Sequence, residues 1–240
     1  MHRAIEIIKT IALTGVSEVV LFHSASGKDS IALLDLLHPY FKRILCVYMY
    51  IVPQLEHIDR YIRYAQKKYP KAEFIQVPHY ALPSYHKAGY MGCEVKHIKK
   101  YNLTELSDII RERYGIKWAC FGFKMADSMN RRLMLRNYRD NAITEQTHKF
   151  FPLSEYKNAD VMAYIERNNL IRPEIYGKTQ SSGTNIADIN YLLYLRENYP
   201  NDLRRVISVF PMVERKLFEY DYKAAKTDTN TGDITLANKS

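Results

Sequence analysis

Short apolar runs rich in β-branched and aromatic residues, each followed by a stretch with helical spacing, constrain this chain more than any other feature. "EVVLFH" (Glu18 to His23), "RILCVYMYIV" (Arg43 to Val52), "AEFIQVP" (Ala72 to Pro78) and "KWACFGF" (Lys117 to Phe123) have the composition of buried strands. Around them, helical spacing is read from Arg3 to Leu13, from Ile31 to Leu37, from Leu55 to Tyr69, from Leu103 to Tyr114, from Asp127 to Tyr138 and from Asn158 to Asn168. Strands that alternate with helices need crossover connections. The fold class predicted is therefore α/β, a doubly wound, mostly parallel sheet with a helical C-terminal part.

The stretch from Pro78 to Lys100 resists a helix or strand assignment and is read as a long loop. Its histidines, His79, His86 and His97, have no metal-ligand spacing and are expected at the surface, the alternative being a lid or an acceptor site. Residues 1–150 are read as the α/β core and 151–222 as a helical segment packed on it. Residues 223–240, without aromatics or periodicity, are read as a flexible tail.

At 240 residues with 47% hydrophobic content, a substantial core is expected. "MHRAIEIIKTIALTG" carries Glu6 and Lys9 inside its apolar pattern, unlike a secretory leader, and no run is long enough to span a membrane. The expectation is a soluble cytoplasmic protein with no membrane partner. Cys46, Cys93 and Cys120 are scattered without a C-x-x-C pair, which argues against disulfides, zinc and an iron–sulfur cluster. Cys46 and Cys120 sit in apolar runs and should be buried, whereas Cys93 is expected at the surface. A net charge of +9 suits an anionic ligand without choosing between a nucleotide and a nucleic acid.

Two segments have the chemistry of an oxyanion site. "HSASGKDS" joins the first strand to its helix, so Gly27 permits close approach, and Ser24, Ser26, Lys28 and Ser30 offer donors at a helix N-terminus. It is not a Walker loop, which needs a glycine at position 22 and Ser or Thr at position 29, where Phe22 and Asp29 stand. Asp29 is read either as a helix cap or as a Mg²⁺ ligand. The second segment, "GFKMADSMNRRLMLRNYR", follows the fourth strand; Gly122 ends that strand and leaves Lys124, Ser128, Arg131 and Arg132 near the start of a basic helix. Both segments lie where doubly wound folds bind ligands, beyond the carboxyl ends of the strands.

"SASGKDS" resembles the S-G-G-K-D-S loop of the PP-loop ATP pyrophosphatases. "GFKMADSMNRR" is similar to the G-x-R-x-x-x-S-x-x-R element of their phosphoadenosine phosphosulfate (PAPS) reductase branch, and "FPLSEYKNADVMAYIERNNLIRPEIYGKTQSSG" to a further segment of that branch. The resemblance covers about Val19 to Pro211 and implies an adenine nucleotide, ATP or PAPS/APS, with its base near Tyr48 to Ile51 and Tyr50 among the binding residues. It implies cleavage of ATP between the α and β phosphates with Mg²⁺, adenylylation of an acceptor, and catalytic roles for Lys28 and Arg131. Gly27 and Ser30 would cradle phosphate, and Lys124 and Arg131 would clamp a phosphate or the acceptor. Departures from the pattern include Ala25 for serine, Lys124 for arginine and Tyr156 for tryptophan. No cysteine follows Cys120, so reductase chemistry, which uses a C-terminal cysteine, is not expected. The rivals are a sulfonucleotide-binding enzyme of sulfur metabolism and an inactive nucleotide- or nucleic-acid-binding module. Nucleic acid stands among the candidate acceptors, and a homo-oligomer is left open.

Overall fold

The computed structural model describes residues 1–174 and 185–236, with side chains described as far as residue 226. Helix α1 (His2–Ala12) leads into β1 (Glu18–Phe22), α2 (Lys28–Leu37), β2 (Arg43–Tyr50), α3 (Glu56–Lys68) and β3 (Ala72–Pro78). Then come α4 (Leu82–Ala88), a 3-10 turn (Tyr90–Gly92), α5 (Leu103–Tyr114), β4 (Trp118–Cys120) and α6 (Met129–Arg136). A hairpin of β5 (Ile143–Thr144) and β6 (Lys149–Phe150) precedes α7 (Asn158–Arg167), α8 (Ile189–Asn198), α9 (Pro200–Val209) and α10 (Met212–Leu236).

The strands form one six-stranded sheet in the order β3-β2-β1-β4-β6-β5, and every pairing is parallel except β5 with β6. Successive side chains on a strand face opposite ways, so the apolar residues divide into two cores. Val19, Leu21, Ile44, Cys46, Trp118 and Cys120 pack with α1, α2, α3, α7 and the C-terminal helices. Val20, Phe22, Leu45, Val47, Ala119 and Phe121 pack with α5 and α6 on the other face. Both faces of the sheet are covered, which is why its strands read as unbroken apolar runs. The chain builds outward from β1 through β2 to β3, then returns to lay β4 on the other side of β1. That reversal leaves a topological switch point between β1 and β4, the two strands that lead into the basic segments.

Local signals set most of the boundaries. Asn102 caps α5 by accepting from the Glu105 N–H, the Glu105 carboxylate accepts the Asn102 N–H in return, and Gly115 closes the helix in the left-handed conformation at φ 67. Strand β4 is shorter than its apolar run, pairing with β1 over Trp118 to Cys120 and with β6 over Ala119 and Cys120.

Three expectations are corrected. The stretch after Pro78 contains α4 and the 3-10 turn; Pro83 suits a first helical turn and left-handed Gly89 stops it, but so short a helix shows no apolar period. Cys93 is buried, at 4% exposure, because the turn at Gly92 packs against Met212 of α10, and the Cys93 thiol donates to the Tyr85 carbonyl. The segment read as a tail from Lys223 instead continues α10 as far as Leu236, on a run of good helix formers from Lys223 to Lys226. Residues 237–240, and the Tyr176 to Gly183 end of the third family-like segment, lie outside the described residues. Among the described residues no helix is long and apolar enough to cross a membrane.

The C-terminal helices are tied to the core by a buried carboxylate. Asp202 of α9 accepts from the Glu56 N–H at 2.9 Å and the His57 N–H at 3.0 Å, and lies 2.8 Å from His57 Nδ1. These bonds satisfy N–H groups that the first turn of α3 leaves without helical partners. Asp202→Ala strands those buried donors and is expected to cost about 2–4 kcal/mol in urea denaturation, by the penalty for unpaired buried polar groups. A loss under about 0.5 kcal/mol, the scale of a neutral surface substitution, would show that the carboxylate is not what holds α3 to α9.

Candidate functional site

At the exit of β1 the backbone makes a tight loop before α2 begins. Gly27 is the N-cap of α2, and no side chain caps that end. Ser30 closes the loop instead: its Oγ accepts the Ser24 N–H at 2.9 Å and lies 2.9 Å from Ser24 Oγ. Ala25 sits in the left-handed region at φ 55, and its N–H donates to His23 Nδ1 at 2.9 Å. Ser26 is buried with no partner for its Oγ. An uncapped helix N-terminus together with an unused buried hydroxyl is suited to an oxyanion.

The exit of β4 runs alongside. Gly122 lies so close to α2 that a Cβ there would stand 3.1 Å from Asp29 Cβ. Lys124, almost wholly buried, reaches Asp29 Oδ2 with its Nζ at 2.7 Å and Asp127 Oδ1 at 3.2 Å. Lys28 Nζ lies 3.2 Å from the same Asp29 oxygen. Asp29 is thus shared by two ammonium groups, one from each segment. Arg131 is held by Asp127 at 2.6 Å and lies over the Phe123 ring, its Cζ 4.1 Å from the centroid. Phe123 in turn belongs to a ring cluster with Phe121 and Phe151, and Phe22 stacks on Phe121 at 4.6 Å. Burial by itself would raise the Asp127 pKa, but the Lys124 N–H and the Lys124 and Arg131 charges outweigh it and hold the carboxyl below its ordinary range.

These elements border a cleft of about 830 Å³ beyond the carboxyl ends of β1, β2 and β4. Of the residues expected from the sequence, Ser24, Lys28, Asp29, Ser30, Gly122 and Arg131 line it. Gly27 and Ser26 lie in the loop beneath. Lys124 is a buried ion-pair partner rather than a free anion clamp, because Asp29 and Asp127 neutralise it from two sides. Ser128 accepts the Arg131 N–H as the N-cap of α6, and Arg132 is exposed with its Nε 3.4 Å from the Met125 carbonyl. Tyr50 packs against the apolar core, while Tyr48, Met49 and Ile51 reach the cleft wall.

Asp29 is not the helix cap. The cap position belongs to Gly27, and Oδ2 is taken by two lysines. Asp127, the other carboxylate on the wall, is engaged by Lys124 and Arg131. Among the described residues no group of three or more His, Cys, Asp or Glu is placed to hold a metal. Asp29 Oδ1, by contrast, is buried without a hydrogen-bond partner.

Several wall residues escaped sequence reasoning, among them His23, Tyr85, Phe123 and Asp127, and His79, expected at the surface, also lines the cleft. His86 is also buried rather than at the surface. His23 and His79 carried a faint signal, since each stands at the end of a strand two residues before an alanine. Burial lowers the His23 pKa to about 3, so its ring is neutral at ordinary pH.

The family described as phosphoadenosine phosphosulfate reductase domain matches residues 19–211. Among solved structures, the NH3-dependent NAD synthetase from Campylobacter jejuni subsp. jejuni NCTC 11168 in complex with the nitrate ion is similar over 93% of each chain, at 13% sequence identity and a TM-score of 0.43. No curated protein matches.

Gly122→Val forces its side chain onto Asp29 and is expected to destabilise the chain by about 1–3 kcal/mol in urea denaturation, the usual cost of overpacking. An unchanged midpoint would mean that the β4 exit has room to move away from α2. A second outcome follows from His23, whose folded pKa of about 3 lies below its ordinary 6.5. The unfolded chain takes up this proton first, so the contribution of His23 to stability is complete above pH 6.5 and is lost progressively as the pH falls toward 3. Denaturation measured between pH 7 and pH 4 should show a shallower loss for His23→Asn than for the parent chain, and equal slopes would exclude a buried neutral imidazole.

Proposed function

Because the chain belongs to the phosphoadenosine phosphosulfate reductase domain family, we propose that its cleft binds an adenine nucleotide, with ATP as the ligand, and adenylylates an acceptor with release of pyrophosphate. One observation carries this reading: Lys28 and Arg131, on the exits of neighbouring strands, line one cleft at the switch point of the sheet. In the proposed reaction an acceptor oxygen or other nucleophile attacks the α-phosphorus, the bond to the oxygen bridging the α and β phosphates breaks, and pyrophosphate departs with that oxygen. Catalysis is then a matter of position and charge. The α2 N-terminus, Ser24 and Ser30 hold phosphate oxygens, and Lys28 takes up the charge that develops on the leaving pyrophosphate. Arg131, kept planar against Phe123 and anchored by Asp127, clamps a phosphate or the acceptor through its fork of donors. Lys124 acts indirectly, by holding Asp29 in place.

The burial of all three cysteines supports ATP over a sulfonucleotide attacked by a thiol of these residues. Cys46, Cys93 and Cys120 are enclosed, burial pushes each thiol pKa up, and none lines the cleft. Lys28→Ala should abolish ATP-dependent pyrophosphate release, measured against a panel of sulfate, nucleobase, tRNA and DNA acceptors, while the urea midpoint stays near that of the parent. Full release by the variant would sink the assignment of the loop. A thermal-shift competition separates the alternatives: stabilisation by PAPS but not by ATP favours a sulfonucleotide enzyme, and nucleotide binding without release on any acceptor favours a binding module.

A further inference from the structure

We propose that His23 and His79 are positioning residues that shape the two sides of the cleft, each by accepting with Nδ1 the backbone N–H of the residue two places on. His23 fixes the loop ahead of α2, and His79 fixes the exit of β3. Their significance for ligand binding rests on the nucleotide reading above; their part in the backbone does not.

The two sites repeat one construction. The His23 N–H donates to the Val47 carbonyl at 2.9 Å, extending the β1–β2 ladder by one residue, and Nδ1 then takes the Ala25 N–H at 2.9 Å. The His79 N–H donates to the Tyr50 carbonyl at 2.8 Å, extending β3 along β2, and Nδ1 takes the Ala81 N–H at 3.1 Å. Both rings are fixed by aromatic neighbours, His23 edge-on to Phe74 and His79 stacked on Tyr80. Both residues line the cleft. The geometry is that of an Asx turn, in which a side-chain acceptor closes onto the N–H two residues later and replaces a backbone bond. In histidine, Nδ1 stands as many bonds from Cα as Oδ1 does in asparagine.

At Ala25 the turn carries an additional burden. A left-handed backbone is unfavourable for any residue with a Cβ, and Ala25 is wholly buried with that conformation. Its N–H has no strand or helix partner, so the imidazole supplies the bond that the enclosed donor requires. The same bond fixes the chemistry of both rings. A neutral imidazole that accepts at Nδ1 carries its proton on Nε2, and it is an N–H donor rather than a base. Activation of the acceptor therefore does not come from either histidine.

The test uses the full chain with His23→Asn, His23→Leu, His79→Asn and His79→Leu. Two-bond ¹H–¹⁵N spectra of the parent should show both rings as the Nε2–H tautomer, and an Nδ1–H tautomer at position 23 would overturn the proposal. Amide exchange at Ala25 should accelerate at least about tenfold in His23→Leu and stay within about threefold of the parent in His23→Asn, with β1 core amides unchanged, since local opening is read residue by residue. The same contrast is expected at Ala81 for the position 79 pair. Equal exchange in the Asn and Leu variants would refute the turn. Calorimetry with ATP and with pyrophosphate should show binding retained by His23→Asn and weakened about tenfold or more by His23→Leu, the scale of one lost hydrogen-bonded constraint. If the parent binds neither probe while the tautomers and exchange behave as stated, the nucleotide reading fails and the turn stands. Should His23→Leu not fold, the parent spectrum and the position 79 pair decide the matter.

Discussion

One carboxylate holds the site together. Asp29 comes from the first turn of α2, Lys28 is its neighbour in sequence, and Lys124 arrives from the far side of the switch point. Two ammonium groups on a single oxygen are costly to bring out of water unless their charge is answered, and Asp29 together with Asp127 answers it. The arrangement also suits Gly122, since a Cβ there would stand 3.1 Å from Asp29 Cβ, where the β4 exit approaches α2. Once that approach is made, the loop after β1 and the segment after β4 behave as one wall.

The aromatic layer beneath α6 does for Arg131 what Asp29 does for the lysines. Phe123 supports the guanidinium from below and Asp127 grips one edge, so the planar group is held before any ligand arrives. Asp127 therefore has two tasks, as a counter-ion to buried Lys124 and as an anchor for Arg131 at the cleft. Under the proposed function, a ligand that draws Arg131 toward itself competes with Asp127.

The alternation of apolar and helical runs disclosed the parallel sheet because both of its faces are covered, which leaves strands such as Val19 to Phe22 apolar throughout. Helix α5 was legible to its ends because Asn102 and Gly115 mark both of them. The hairpin of β5 and β6 was not legible, since two-residue strands have no period, and α4 is too short to show one. At the site, residue types pointed to Lys28, Ser30 and Arg131, all of which line the cleft. They also pointed to Lys124, whose spacing puts it near an anion but does not reveal its pairing with Asp29, 95 residues earlier in the chain. The sharing of Asp29 and the stacking of Arg131 are tertiary facts. No local pattern encodes them.

The register of β1 against β4 also bears on how the molecule comes to be. Val19 pairs with Trp118, so the wall of the cleft depends on closing a loop that includes β2, β3 and every helix between them. Contacts so distant along the chain are entropically expensive to form early and are rewarded late in folding. β1 can find β2 while the chain is still short, but Lys124 can meet Asp29 only after more than half the protein has been made and arranged. The wall of the cleft therefore exists only once the β1–β4 pairing has closed, later than the local pairing of β1 with β2.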